Sequence, residues 1–231
     1  MWSSFLPATD IVKRNIHITE LNPQYIWGGD ALQTFGADNI WIDHVKISLV
    51  GRQMFAASAG GTTAGRITIS NSEFDGSTSW SASCDNKHYW TILLNGSQDS
   101  ITFVGNYVHH TSGRSPKVAG KATILHAVNN MFHENSGHAF DVGTGSNVVA
   151  EGNVFYRVKA PLLEKVGKLF ATAGSTCKAI FGRDCVGNTV TESGTFVGTD
   201  ASALSSFTGY KIFTAAKPTT NVRLTAGVGK I

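Results

Sequence analysis

The sequence carries a short strand-like pattern that recurs along most of the chain. Segments rich in β-branched residues begin at positions 15, 39, 66, 100, 122 and 147, with the letters NIHI, NIWI, RITI, SITF, ATIL and NVVA. The intervals between them are 24, 27, 34, 22 and 25 residues. A unit this short cannot bury its own apolar face, so it must stack on copies of itself. We therefore predict an all-β chain of parallel coils wound into a solenoid.

A second recurring segment follows some of these strands. The copies GNYVHH, NNMFHE and GNVFYR place Asn106, Asn130 and Asn153 at successive intervals of 24 and 23 residues. Equivalent asparagines on stacked coils can form a ladder of side-chain amide hydrogen bonds. A β-sandwich is the alternative fold, but it does not predict a period near 24 residues. The longer intervals indicate inserted loops, which in solenoids often build the binding site.

Length and composition favour one domain. The chain has 231 residues, of which 42% are apolar, so residues 1–231 can bury a single core. The pattern fades beyond Lys159, and we expect residues from about 160 to 231 to pack along the solenoid. The net charge is only +3 and the basic residues are scattered, which argues against nucleic acid as a partner. No apolar run reaches about 18 residues, so we expect no membrane span.

Three cysteines leave the redox state open. Cys177 and Cys185, in the segment CKAIFGRDC, can close a short disulfide loop that would suit an oxidising compartment, whereas Cys84 has no obvious partner. Three free thiols in a cytosolic protein are the alternative. The first 15 residues do not read as a signal peptide. Either the protein is not exported, or the chain begins downstream of its natural start.

Charged and aromatic residues stand out at three separated places. Asp30 ends the segment WGGD, Arg52 lies in GRQ, and Arg114 lies in SGRSPKV. Parallel strands of adjacent coils are about 4.8 Å apart, so residues far apart in sequence can meet. We expect these three side chains to converge on one cationic groove with an aromatic edge.

These residues belong to motifs that resemble those of the fungal pectin lyases, in the pectate lyase superfamily. The motifs are WGGDA, WIDHV, GRQ, SGRSPKV, ILHAVNN, GHAFDVGTG and AEGNVF, and the resemblance runs from about Asn15 to the C-terminus. It implies a right-handed parallel β-helix. It also implies cleavage of methyl-esterified polygalacturonate (pectin) by β-elimination, which gives 4,5-unsaturated oligouronides.

The resemblance also implies roles for individual residues. The arginine that matches Arg114 is the base that removes the C5 proton, and the positions that match Asp30 and Arg52 complete the reaction centre. Lys117, next to the base, is a further candidate for a helper. An arginine in water hardly ever loses its proton, so this role requires nearby positive charge and exclusion of water. We expect Arg52 and Lys117 to supply that charge. The alternative is that Arg114 binds a carbonyl while another group accepts the proton.

The aromatic subsites of the family match three positions here, and a fourth aromatic residue lies in the same loop region: Trp27, Tyr89, Trp90 and Trp80. Arg52 stands where pectate-cleaving members of the superfamily keep an acidic calcium-binding cluster. A methyl ester is neutral and does not call for that ion, so we expect neither a metal nor another cofactor. The resemblance also implies further N-terminal coils, a cap, and a cysteine that pairs with the position of Cys84, and we expect this chain to lack those coils and that cap. The resemblance further implies secretion, and we expect a monomer.

Three other functions remain open. Asp43 paired with Asp30 would suit a polygalacturonase-like hydrolase, because glycosidases use two carboxylates. A calcium-dependent pectate lyase is the second alternative. A non-catalytic carbohydrate-binding solenoid is the third, since aromatic faces stack on sugars whether or not a reaction occurs. His44 is a candidate for orienting a groove residue. We expect structural roles for five other histidines, and no spacing resembles a zinc site: His109, His110, His126, His133 and His138.

Overall fold

The protein consists of stacked coils, each made of short β-strands. The computed structural model describes residues 4–5, 9–57 and 65–231. Within them the strands form three parallel sheets of seven strands each, and each coil contributes one strand to each sheet. The predicted all-β solenoid is therefore confirmed as a parallel β-helix.

Sheet 1 contains β1 (Ser4–Phe5), β4 (Leu32–Thr34), β7 (Phe55–Ala57), β10 (Ile92–Leu94), β13 (Lys117–Val118), β16 (His138–Val142) and β19 (Ala160–Lys165). Sheet 2 contains β2 (Thr9–Arg14), β5 (Asp38–Asp43), β8 (Arg66–Ser70), β11 (Ser100–Val104), β14 (Ile124–Val128), β17 (Asn147–Glu151) and β20 (Lys168–Phe170). Sheet 3 contains β3 (His17–Ile18), β6 (Lys46–Ser48), β9 (Glu73–Asp75), β12 (Tyr107–His109), β15 (Met131–His133), β18 (Val154–Tyr156) and β21 (Thr189–Thr191).

The helical segments are short. They are α1 (Lys178–Phe181), α2 (Val222–Thr225) and 3-10 turns at Ile26–Gly28, Ser175–Cys177 and Ala201–Phe207. In the part of the chain that the structure describes, no helix is long and apolar enough to cross a membrane.

The core consists of apolar rows that run from coil to coil. In sheet 2 the register aligns one inward position from each of six successive coils, at most 3% exposed, in the row Ile40, Ile67, Ile101, Leu125, Val148 and Leu169. Phe132 and Phe155 stack in the same interior with ring centroids 4.9 Å apart. Burying a side chain of this size contributes about 1.5–3 kcal/mol. Because each coil covers its neighbour's apolar face, the coils are stable only as a stack.

A two-residue turn joins sheet 2 to sheet 3. Its first residue has a positive φ, a conformation suited to glycine and asparagine, at Asn15, His44, Asn71, Gly105, Asn129 and Gly152. From the second of these turns onward the second residue is buried, and from Asn106 onward it is an asparagine. Asn106 Nδ2 donates to Asn130 Oδ1 at 3.0 Å, and Asn130 Nδ2 donates to Asn153 Oδ1 at 2.9 Å. The predicted ladder is confirmed, and it continues to Asn188, which the sequence pattern did not reveal.

The coil boundaries differ from the sequence prediction at both ends. The NIHI segment contributes His17–Ile18 to sheet 3, whereas the first sheet-2 strand is Thr9–Arg14, in the segment TDIVKR. The pattern weakens beyond Lys159, yet β19, β20 and β21 extend all three sheets by one strand. β19 and β21 continue the ladders with mostly exposed side chains, which explains the weak pattern.

The segment after the last coil runs back along the solenoid. Leu204 and Phe207 pack with Ile124 and Phe170 on sheet 2. Further on, Ala216 exchanges hydrogen bonds with Asn129, Gly227 N–H donates to Asn71, and Gly229 N–H donates to Asn15. The tail thus follows the two-residue turns as far as the first coils. The predicted disulfide between Cys177 and Cys185 is present, and Cys84 is an exposed free thiol.

A buried carboxylate ties this tail to the coils. Glu151 is 1% exposed and accepts hydrogen bonds from Arg183 at 2.7 and 2.9 Å, from His126 at 2.8 Å and from the Val186 amide at 3.0 Å. Burial alone would raise the pKa of Glu151, but the hydrogen bonds from Arg183 and His126 outweigh it and lower the pKa to about 2.

This pKa predicts an acid-sensitive contact. The folded-state pKa lies below the ordinary value of 4.5, so the stabilisation is complete above pH 4.5 and is lost as the pH falls towards 2. We expect the wild type to lose about 3 kcal/mol more than Glu151→Gln over that range. Denaturant unfolding at a series of pH values measures the difference. Glu164→Gln, which changes an exposed glutamate, should follow the wild type. Parallel pH curves for the wild type and Glu151→Gln would contradict the assignment.

Candidate active site

The residues proposed for catalysis lie at the edge of sheet 1 where its strands begin. Extending the register of sheet 1 by two or three residues places one residue from each of five adjacent coils in a single row, which is Asp30, Gln53, Trp90, Arg114 and His138. Backbone hydrogen bonds between neighbouring coils continue through this row. Asp30 and Arg114 are three coils apart, on the order of 15 Å along the stack. The predicted residues therefore share one edge.

Asp30 holds Arg52 in place. Arg52 Nε and Nη2 donate to the two carboxylate oxygens of Asp30 at 2.8 and 3.1 Å, and the Gln53 amide donates to Oδ1 at 2.9 Å. The Asp30 side chain is 1% exposed and the Arg52 side chain is 42% exposed. A bidentate pair of this kind fixes a guanidinium firmly. Asp30 thus anchors Arg52, whose side chain remains partly exposed.

Arg114 has different surroundings. Its backbone has φ 50°, which is uncommon for a residue with a side chain. Its N–H donates to His138 Nε2 at 3.0 Å, and its carbonyl accepts from the Ile92 amide at 2.6 Å. The guanidinium lies 5.6 Å from the centroid of the Tyr89 ring. Among the described residues, no carboxylate lies within 4.0 Å of the Arg114 guanidinium. The Arg52 guanidinium, in contrast, is paired with Asp30.

Lys117 is paired as well. Its Nζ lies 2.7 Å from Asp141 Oδ2, on the residue directly opposite in the next strand of sheet 1. The sequence predicted that Arg52 and Lys117 would repel positive charge at Arg114. A carboxylate compensates each of these cations. The field that they produce at Arg114 is correspondingly weaker.

Two histidines that the sequence did not single out for this site position its backbone. His88 Nε2 lies 2.6 Å from the Arg52 carbonyl and 3.0 Å from the Trp90 carbonyl, so it joins two coils. Burial lowers the pKa of His88. It also lowers the pKa of His138, and the positive charges of Lys117 and Arg114 lower that pKa further. Since His138 Nε2 accepts from Arg114, the neutral ring carries its proton on Nδ1. The one signal in the sequence is that His138 follows Arg114 by 24 residues, one coil.

The aromatic residues lie beside this edge. Tyr89 and Trp90 meet edge to face with centroids 5.7 Å apart. Trp80 and Trp90 both line a cavity of about 330 Å³ next to the first 3-10 turn. Trp27, in that turn, is 71% exposed and stacks on Tyr25 at 4.6 Å. Tyr89, Trp90 and Trp80 thus lie near the row, and their role as an aromatic edge of the groove, like that of Trp27, stays a prediction.

Asp43 does not join this site. It ends β5 in sheet 2, where it is buried, and it accepts hydrogen bonds from Arg14 and Ser70. His44 Nδ1 contacts the same carboxylate at 2.8 Å, so it does not orient a groove residue. Asp30 precedes a strand of sheet 1 and is paired with Arg52. The pair of carboxylates required by the hydrolase alternative is therefore absent from these positions.

The groove does not offer the oxygen ligands that calcium requires. Calcium takes six to eight oxygens, several of them from carboxylates. In the groove, Asp30 and Asp141 are each paired with a cation. Gln53 lies one coil after Asp30 in the row, and three further coils separate Gln53 from His138, which is in the strand of Asp141. The two carboxylates are therefore too far apart to share an ion. Within the described residues, the one group of three or more metal-binding side chains lies on sheet 3. The donor set at sheet 1 therefore does not fit calcium.

Comparison with known proteins decides the family. A family model described as pectate lyase matches residues 7–231. The chain belongs to the pectate lyase family. The probable pectin lyase F of Aspergillus flavus is 51% identical to it over 233 residues, which cover 97% of this chain and 54% of that protein. The probable pectin lyase B of Aspergillus fumigatus is 46% identical over 228 residues, covering 97% and 60%. The chain spans about half the length of the curated relatives it matches.

Solved structures of the family share the fold at low sequence identity. One described as a pectate lyase bound to hexasaccharide is 15% identical, with a TM-score of 0.58 over 96% of this chain and 62% of that one. A pectate lyase from Acidovorax avenae subsp citrulli is 18% identical, with a TM-score of 0.54 over 97% and 60%. These similarities support the parallel β-helix.

Proposed function

We propose that this chain carries the reaction centre of an enzyme that cleaves methyl-esterified polygalacturonate by β-elimination. The names of the pectin lyase relatives support this substrate. One observation carries the proposal. Among the three groove cations, Arg52, Arg114 and Lys117, Arg114 has no ion-pair partner among the described residues. Its guanidinium is therefore available to contact the substrate.

In the proposed reaction Arg114 acts at the C5 carbon of a uronate ester. A neutral guanidine nitrogen takes the C5 proton, and the electron pair of that bond forms the C4–C5 double bond. The bond from C4 to the glycosidic oxygen breaks, and the leaving oxygen takes its bonding electrons and a proton from water. Negative charge grows on the C6 carbonyl oxygen before this bond breaks. We expect Arg52, which Asp30 holds, to stabilise that charge.

The absence of a carboxylate partner supports the basic role. Asp30 compensates the charge of Arg52, whereas no carboxylate among the described residues lies within 4.0 Å of the Arg114 guanidinium. A bound polysaccharide would also displace water from Arg114. His138 and the Ile92 amide hold the Arg114 backbone while this happens.

An esterified substrate suits the rest of the groove. A methyl ester brings no charge that needs a metal ion, and each groove carboxylate is already neutralised. The rings of Tyr89, Trp90 and Trp80 offer apolar faces for sugars and methyl groups. The disulfide between Cys177 and Cys185 is consistent with an oxidising compartment, so secretion belongs to the same proposal.

Product spectroscopy tests the proposal. The chain is incubated with highly methyl-esterified pectin and with de-esterified polygalacturonate, each with calcium and with a chelator. We expect near-ultraviolet absorbance from the unsaturated product to grow on the esterified substrate, and a chelator to leave the rate unchanged. New reducing ends without this absorbance would indicate a hydrolase. Growth that needs calcium and the de-esterified substrate would indicate a pectate lyase, and binding without any product would indicate a carbohydrate-binding module.

A further inference from the structure

A cluster of metal-binding side chains lies on sheet 3, away from the groove of sheet 1. Asp75 ends β9, and His109 ends β12 directly opposite it on the next coil; His110 follows His109. One candidate ligand atom from each of the three lies within 4.8 Å of the other two. The three side chains thus join two neighbouring coils, although no spacing in the sequence suggested a metal site.

The outer nitrogens of the two imidazoles face carboxylates. His109 Nε2 lies 3.2 Å from Glu73 Oε1, and His110 Nε2 lies 2.9 Å from Glu134 Oε2. An ionised carboxylate only accepts hydrogen bonds, so each contact favours a proton on Nε2. A neutral imidazole carries a single proton, which leaves a lone pair on the Nδ1 atom of each ring.

These two lone pairs point at each other. His109 Nδ1 and His110 Nδ1 are 2.8 Å apart, and Asp75 Oδ1 is 3.7 Å from His109 Nδ1. Three acceptors at such distances repel one another unless positive charge lies among them. The charge can be a shared proton or a bound cation. Lys46 does not supply it, because its ammonium lies on the other oxygen of Asp75, Oδ2, at 3.3 Å.

We propose that Asp75, His109 and His110 bind a divalent transition-metal ion of the kind that prefers imidazole, such as zinc. Two imidazole nitrogens and one carboxylate oxygen make a three-ligand set, to which water can add a fourth ligand. Metal-bound histidines usually give their other N–H to a carboxylate, and Glu73 and Glu134 are already in that position.

The local charge also favours a dication. Glu73, Asp75 and Glu134 bring three negative charges around the site, while Lys46, paired with Glu73 and Asp75, and Arg157, paired with Glu134, bring two positive charges. Calcium fits less well, because it takes oxygen ligands rather than imidazole. A bound ion would join the third and fourth strands of sheet 3, and binding to the folded state alone would stabilise that state.

Isothermal titration of the chain with zinc chloride tests the site. We expect one zinc ion per chain and a rise in the unfolding temperature with zinc concentration. His110→Ala should weaken zinc binding by about tenfold or more, as the loss of a ligand does, and Asp75→Asn should weaken it as well. His110 is 35% exposed, so its replacement should not prevent folding. His17→Ala changes another sheet-3 histidine outside the cluster and should leave binding unchanged.

Two results would overturn the proposal. If the wild type binds no zinc, a shared proton is the charge between the two nitrogens. If zinc binds but His110→Ala binds it equally well, the ion lies elsewhere. Titration with calcium chloride gives a further check, since calcium that binds as tightly as zinc would contradict an imidazole-based site.

Discussion

Replacing Arg114 with alanine is expected to lower kcat on methyl-esterified polygalacturonate by about 10²- to 10⁴-fold, the range typical of losing a general acid or base. Alanine keeps the Cβ atom and the backbone contacts to His138 and Ile92, so the groove should keep its shape. The initial rate of absorbance growth from the unsaturated product measures the effect. A variant that keeps more than about a tenth of the activity would contradict a central role.

Arg66→Ala is the matched control for this experiment. Arg66 begins β8 on sheet 2, its side chain is 67% exposed, and it is paired with Asp38. It has the same chemistry as Arg114 but stands on another face of the solenoid. We expect its removal to leave kcat unchanged. If both variants lose activity equally, a general loss of charge or stability explains the result.

Arg114→Lys distinguishes two possible roles of Arg114, a base that removes the proton and a cation that binds the carbonyl. In water a lysine loses its proton near pH ~10.4 and an arginine only above ~12.5, so a lysine base becomes more available as the pH rises. If Arg114 removes the proton, the rate of Arg114→Lys should increase about tenfold per pH unit in the range where chemistry is rate-limiting. If Arg114 only binds the carbonyl as a cation, that rate should stay level and then fall. Pectin without enzyme gives the background rate at each pH.

The parts of the fold that the sequence predicts are those in which like residues stack. Each coil must match the one below it. The strand-like segments of sheet 2 therefore repeat, and so do the asparagines Asn106, Asn130 and Asn153. Strands of sheet 1 can be as short as Lys117–Val118, and two residues leave no periodic pattern. Thr9–Arg14 was not predicted as a strand, because the segment NIHI that follows it in the first coil has the more strand-like pattern.

The site was predictable in its residues and less so in its contacts. The motifs located Asp30, Arg52 and Arg114, and the structure places them on one edge of sheet 1. The pairing of Lys117 with Asp141, one coil away, is set by strand register, which the sequence does not display. His88 was missed for the same reason, since it acts on backbone carbonyls of other residues. Coil-to-coil contacts therefore decide the electrostatics of the groove.

Removing one asparagine from the ladder is expected to cause a large loss of stability. Asn130 is fully buried. Its Oδ1 accepts from the backbone amide and the Nδ2 of Asn106 at 2.9 and 3.0 Å, and its Nδ2 donates to the Phe103 carbonyl at 2.8 Å and to Asn153. Asn130→Ala removes all four hydrogen bonds. Asn106 Nδ2 keeps the Ile69 carbonyl and Asn153 Oδ1 keeps the backbone amide of residue 130, whereas the Asn106 amide and the Phe103 carbonyl each lose a buried side-chain partner. Each such group costs about 1–3 kcal/mol, so we expect a loss of about 3–5 kcal/mol.

Denaturant unfolding of the variant measures this loss. Asn147→Ala is the control, because the Asn147 side chain makes one long, exposed hydrogen bond, to Gly145 at 3.3 Å, and its removal should change stability by less than about 0.5 kcal/mol. The ladder links successive coils through Asn106, Asn130, Asn153 and Asn188, so its loss should weaken several coils together rather than one turn. A loss below about 1 kcal/mol for Asn130→Ala would mean that water replaces the amide, and that apolar packing alone sets the coil register.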